Sequence, residues 1–155
     1  MRRDYFTLQL EDTAWAEDSG DPLKPVIAID FDGPSEFESR VRNATGAPLA
    51  AEELDVAYRL TGPAGEEDTT GVLSLTNRLT GEFILEVNAS PQTMDRLVSA
   101  ARTYEQETDD DGRYRIRLTD HGEGVFFHDK RTLLVYDSEG GLLRQRSLIP
   151  SGVEL

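Results

Sequence analysis

Cysteine is absent from the 155 residues, which excludes disulfides, thiolate nucleophiles and thiolate metal centres. Lysine is almost absent as well: Lys24 and Lys130 are the only two among 16 cations, and the others are Arg. Positive charge as a whole is scarce, because 30 Asp and Glu leave a net charge of -14. No apolar run approaches the roughly 20 residues that span a bilayer. Met1-Arg2-Arg3-Asp4-Tyr5 leads into no apolar signal-like segment. These absences predict a soluble, unprocessed, cytoplasmic protein without a membrane partner.

What is present begins with the charge itself. A chain this acidic repels itself in dilute buffer, whereas at about 1 M salt the Debye length is only about 3 Å and most of the repulsion is screened. Arg in place of Lys suits such a surface, since a planar guanidinium holds a carboxylate through paired hydrogen bonds. The combination reads as an intracellular protein of an extreme halophile.

Hydrophobic patterning predicts an α+β fold. Residues 5–10 alternate apolar with polar, as a half-buried strand does, and residues 25–31 form a second, more continuously apolar strand. Pro34-Ser35 opens a short helix with Phe37 and Val41 four residues apart, after an acidic loop carrying Trp15. Three further strands are expected at residues 54–60, 72–76 and 82–88, the last two joined in a hairpin through residues 77–81. Ser90 then caps a main helix with Pro91 at its first position, and Met94, Leu97, Val98, Ala101 and Tyr104 share one face before it ends near Glu105. Four strand-like runs follow at residues 113–119, 124–128, 132–137 and 142–149. The expected architecture is one antiparallel, β-rich α+β domain over residues 1–155 with helices packed on sheet. Helix followed by strands occurs twice, so halves 1–88 and 89–155 suggest a pseudo-repeat without matching residues.

The opening string Met1-Arg2-Arg3-Asp4-Tyr5-Phe6-Thr7-Leu8, the middle Thr76-Asn77-Arg78-Leu79-Thr80-Gly81-Glu82-Phe83 and the close Leu133-Leu134-Val135-Tyr136-Asp137 with Ser147-Leu148-Ile149-Pro150 carry a likeness along the whole chain. Through them the protein resembles an uncharacterised family of small acidic haloarchaeal proteins. The resemblance implies a lineage and no activity.

The sharpest chemical motif is Val26-Ile27-Ala28-Ile29-Asp30-Phe31-Asp32-Gly33. It is similar to the first motif of haloacid-dehalogenase-type phosphatases, and that resemblance implies Asp30 as nucleophile and Asp32 as general acid beside a magnesium ion. The chain departs from the pattern, with Pro34 where Thr is usual, Lys24 too early, and hairpins instead of parallel strand and helix units. The plainer reading is a strand running into an Asx turn.

Glu107, Asp109 and Asp111 imitate half a calcium loop, but Leu118 stands where a bidentate acid is required. His121 and His128 lack a third defined ligand and read as turn and edge residues. No metal or cofactor is therefore expected.

Charge is distributed unevenly. Residues 113–155 hold seven cations and six acids, net +1, so the first 112 residues carry -15. Arg113, Arg115 and Arg117 fall at strand spacing on one face, with Tyr114, Ile116 and Leu118 on the other, and Arg144 and Arg146 extend the set on another strand. If these cations face outward they form a docking surface for an acidic protein partner. If they neutralise acids such as Glu105, Glu107 or those on neighbouring strands, they are internal ion pairs. The absence of interleaved aromatics disfavours nucleic acid. The sequence thus favours a non-catalytic interaction or adaptor module over a magnesium-dependent phosphohydrolase or a nucleic-acid-associated factor, and leaves the oligomeric state open.

Overall fold

A computed structural model describes residues 5–13, 21–34, 41–43, 45–63, 69–110 and 112–150. Eight strands and one long helix follow in order: β1 (Phe6–Glu11), β2 (Val26–Phe31), β3 (Leu54–Leu60), β4 (Gly71–Asn77), β5 (Phe83–Ala89), α1 (Pro91–Glu107), β6 (Tyr114–Asp120), β7 (Glu123–Lys130) and β8 (Leu134–Tyr136). Each expected element from β1 to β7 begins and ends within two residues of its predicted bounds. The expected helix from Ser35, the loop around Trp15 and Asp111 lie outside the described residues.

Two four-stranded sheets result, in the orders β1-β2-β6-β7 (sheet 1) and β5-β4-β3-β8 (sheet 2). Both are mixed. Four pairings are antiparallel, while β2 with β6 and β3 with β8 are parallel. A parallel pair needs a crossover. Between β2 and β6 the chain builds three strands of sheet 2 and α1, and between β3 and β8 it builds α1 and the β6–β7 hairpin. The sheets are therefore interlocked, and a boundary near residue 88 separates neither of them. The fold is a single α+β domain.

The final expected strand is corrected. Residues 142–149 carry a 3-10 turn at Arg144–Arg146 and form no continuous ladder with sheet 2, pairing as isolated bridges between Leu142 and Tyr136 and between Leu148 and Leu133. Ser147 explains the interruption: its hydroxyl donates to the Leu143 carbonyl at 2.8 Å and accepts from the Val135 amide at 2.8 Å. Side-chain bonding of this kind competes with a strand ladder.

Alternation of apolar and polar residues in β3, β4 and β6 sends one row from each into a common core containing Leu54, Tyr58, Leu73, Leu75, Tyr114, Ile116 and Leu118. Met94, Leu97, Val98 and Ala101 of α1 join the same cluster. The helix is thus seated on a core shared by both sheets, not on a separate C-terminal one. Its start is fixed by Ser90, whose hydroxyl accepts from the Thr93 amide at 3.1 Å. Buried Tyr58 and Tyr114 each donate a hydrogen bond of 2.7 Å, to the carbonyls of Ala89 and Thr132. Gly71 makes room for the first of these, since a Cβ there would collide with the Tyr58 hydroxyl.

Candidate functional site

The arginine row of β6 lands on the outer face of sheet 1, as its spacing requires. The parallel register sets Val26 opposite Arg115 and Ala28 opposite Arg117. Ala28 is short, so the Arg117 guanidinium crosses β2 toward β1, whereas Arg115 turns the other way, to β7. Arg117 reaches Glu11 of β1 with two nearly parallel bonds, 2.9 Å and 2.5 Å. Hydrogen bonding from Arg117 holds the Glu11 carboxyl below its ordinary value, against a smaller opposing effect of burial. Arg115 bonds Asp129, its direct register partner on β7, at 2.9 Å, and lies over the Phe127 ring at 5.2 Å.

Arg113 behaves differently. Its side chain is only 8% exposed and bonds Glu105 of α1 at 2.6 Å, so of the two arrangements the sequence left open, outward-facing or paired with a neighbouring acid, it takes the paired one. The physical reason is the return of α1 over this end of the sheet. The same return gathers a second group: Lys24, 5% exposed, bridges Asp110 at 2.7 Å and Asp129 at 3.0 Å. Asp110 also accepts from Tyr104 at 2.8 Å and from the Gly112 amide at 3.0 Å. Hydrogen bonds from Lys24, then Tyr104, then Gly112 bring the Asp110 carboxyl down to about 2. Arg146 pairs with Asp95 of α1 at 3.0 Å. Arg144 and Arg146 therefore lie on a turn beside the helix and do not extend the β6 row.

Asp30 stands at the end of β2, opposite Thr119 of β6. One of its oxygens accepts from the Thr119 hydroxyl at 2.5 Å and from the Gly122 amide at 3.0 Å. His121 and Gly122 make the two-residue β6–β7 turn with φ of 51° and 84°, the left-handed conformation such hairpins require. His121 lies 2.6 Å from Asp120 and 3.2 Å from Asp32, and its pKa is raised, first by the Asp120 hydrogen bond. The geometry makes Asp30 a latch between β2 and a hairpin turn. His128 sits on edge strand β7, stacked on Phe126 at 5.0 Å and 2.7 Å from the Leu49 carbonyl. Among the described residues, no group of three or more His, Asp or Glu gathers in metal-binding geometry.

A concavity that sequence reasoning missed lies elsewhere, over the outer face of sheet 2. A groove of about 750 Å³ runs over Ala57, Leu134 and Tyr136, with Arg78, Lys130 and Arg131 among its walls. Ala57, Ser74 and Leu134 share this face in the β3 to β4 and β3 to β8 registers, and Ala57 is the small residue among those that line the groove on β3. Lys130 is half-buried and donates to the carbonyls of Ala51 at 2.8 Å and Leu54 at 2.6 Å. Burial, then the nearby Arg78 cation, lowers its pKa. Arg78 holds Asp55 through Nε and Nη2, at 2.9 Å and 2.8 Å. The only available signal was the rarity of lysine, which marked Lys130 without saying what it faced.

No curated protein and no solved structure matches the chain. A family model does match, from residue 1 to residue 155, and the chain thereby belongs to the family of unknown function DUF5793.

Proposed function

We propose that this protein is a non-catalytic interaction module of a salt-rich cytoplasm, and that its partner-facing surface is the groove of sheet 2. The observation that carries the reading is the groove itself, whose volume of about 750 Å³ and apolar floor of Ala57 and Leu134 between charged walls fit a binding cleft. The arginine row supports it less than the sequence promised, because Arg113, Arg115 and Arg117 are already engaged by Glu105, Asp129 and Glu11. The phosphohydrolase reading is weakened by the latch role of Asp30 and by the contact of Asp32 with His121. The salt-rich setting rests on composition, and its expected sign is native circular dichroism near 2 M KCl that is lost in dilute buffer, where screening falls.

The test is capture from a native lysate at high salt with wild type and with Ala57→Glu, which places a charge on the groove floor. Ala57→Glu should remove captured species that Arg117→Gln retains. An identical captured set for all three proteins, or magnesium-dependent phosphomonoester turnover abolished by Asp30→Asn, would overturn the reading.

A further inference from the structure

We infer that the occupant of the sheet 2 groove is an extended acidic segment of a partner protein, with an aromatic or aliphatic anchor against Ala57, Leu134 and Tyr136 and its carboxylates at Lys130 and Arg131. This rests on the interaction reading above and names the class of partner.

Charge is the first argument. The groove and the depression beside it carry four cations (Arg59, Arg78, Lys130, Arg131) and four acids (Glu52, Asp55, Glu86, Asp129), so the face is neutral in a chain of net charge -14. Two of those acids are already held: Asp55 by Arg78, and Asp129 by Lys24 and Arg115. Arg131 is exposed and has no ion pair among the described residues. An acidic segment meets less repulsion here than over a surface of average composition, and carboxylates at Arg gain charge-assisted bonds.

Shape is the second argument. The adjoining depression, about 430 Å³, is lined by Arg59, Val72, Ser74 and Phe83. It meets the groove where Ala57 pairs with Ser74. Two open concavities in series across a sheet face suit an extended chain, whose alternate side chains enter successive pockets. Phe83, 59% exposed, stands at the far end as a second apolar contact.

The probe is a fluorescently labelled random copolymer of glutamate and tyrosine, compared with poly-L-glutamate and polyadenylate by anisotropy in the salt that keeps the chain folded. The glutamate–tyrosine copolymer should bind best, and Ala57→Glu, which sets a like charge on the groove floor, or Arg131→Glu, which replaces a charge-assisted contact by a repulsive one, should each weaken it by about tenfold. Because the chain has only two lysines, zero-length carbodiimide coupling reports position: the copolymer should join Lys130 and leave Lys24 free. No binding, binding indifferent to both variants, coupling at Lys24 alone, or preference for polyadenylate each overturns the inference. Loss of lysate capture in Ala57→Glu without copolymer binding would overturn the acidic class and leave the interaction reading standing. Circular dichroism of each variant separates these outcomes from unfolding.

Discussion

The two sheets turn opposite kinds of surface outward. Sheet 1 presents long charged side chains that reach across neighbouring strands and find carboxylates: Arg117 on Glu11, Arg115 on Asp129. Sheet 2 sets the small Ala57 between Asp55 and Arg59 on β3, beside Ser74 and Leu134, and a groove opens over Ala57 and Leu134. Both faces rest on one core and follow the same period of two, so the contrast comes from which residues the register brings side by side. A row of cations read along one strand is not a free positive face. Its partners are supplied by three other elements, β1, β7 and α1, which lie 106, 14 and 8 residues away.

Both faces rest on the layer beneath them, and the largest expected effect is there. Leu97 is fully buried in the shared cluster, so Leu97→Ala should cost about 2–5 kcal/mol. Thermal melting followed by circular dichroism checks it, and a loss confined to one sheet by hydrogen exchange would break the idea of a common core. Next comes the buried end of the arginine row. Arg113→Gln removes a charge-assisted bond from an 8% exposed side chain and should cost about 1.5–3 kcal/mol. Arg117→Gln, with both partners more than a third exposed, should cost about 0.2–1 kcal/mol. When Arg113, Arg115 and Arg117 are all changed to Gln, Arg113 should therefore account for most of the loss in melting temperature, and equal shares would contradict the assigned burial.

Acid should act on sheet 1 before sheet 2, through the Lys24 bridge. Asp110 titrates at about 2 in the folded protein against 3.8 as a free carboxyl. Asp129 is also lowered, because bonds from Arg115 and Lys24 outweigh the opposing effect of burial. Carboxyls lowered by folding give stability that is present above their unfolded value and lost as pH falls through the folded one. The window is thus between pH 3.8 and about 2. Carboxyl carbon NMR should place Asp110 there, and Lys24→Met should return it toward 3.8. An unmoved titration would remove Lys24 from the bridge. The smallest effect belongs to sheet 2: Ala57→Glu, on an open face, should change stability by no more than about 0.5 kcal/mol, and a larger loss would mean that the groove floor is packed.

Much of this was legible in order and little of it in space. The pattern of β3, from Leu54 to Leu60, alternates so regularly that its bounds match the structure residue for residue, and Ser90-Pro91 marks the helix start without ambiguity. The stretch 142–149 misled because apolar residues spaced like a strand were interrupted by Ser147, whose hydroxyl takes up backbone groups. For the candidate site, the sequence pointed to cations on β6 and to Glu105 or Glu107 as acids that would neutralise them, and could not find Glu11, which lies 106 residues from Arg117.

By itself the sequence determined the elements, the absence of thiol chemistry and the strongly acidic surface, because these follow from local periodicity and from composition. Only the tertiary structure decided that β2 runs parallel to β6 and β3 to β8, that the arginines of β6 are neutralised, and that a groove opens on sheet 2. Each of these depends on contacts between distant segments, and their energy arises only when two such segments are buried against each other.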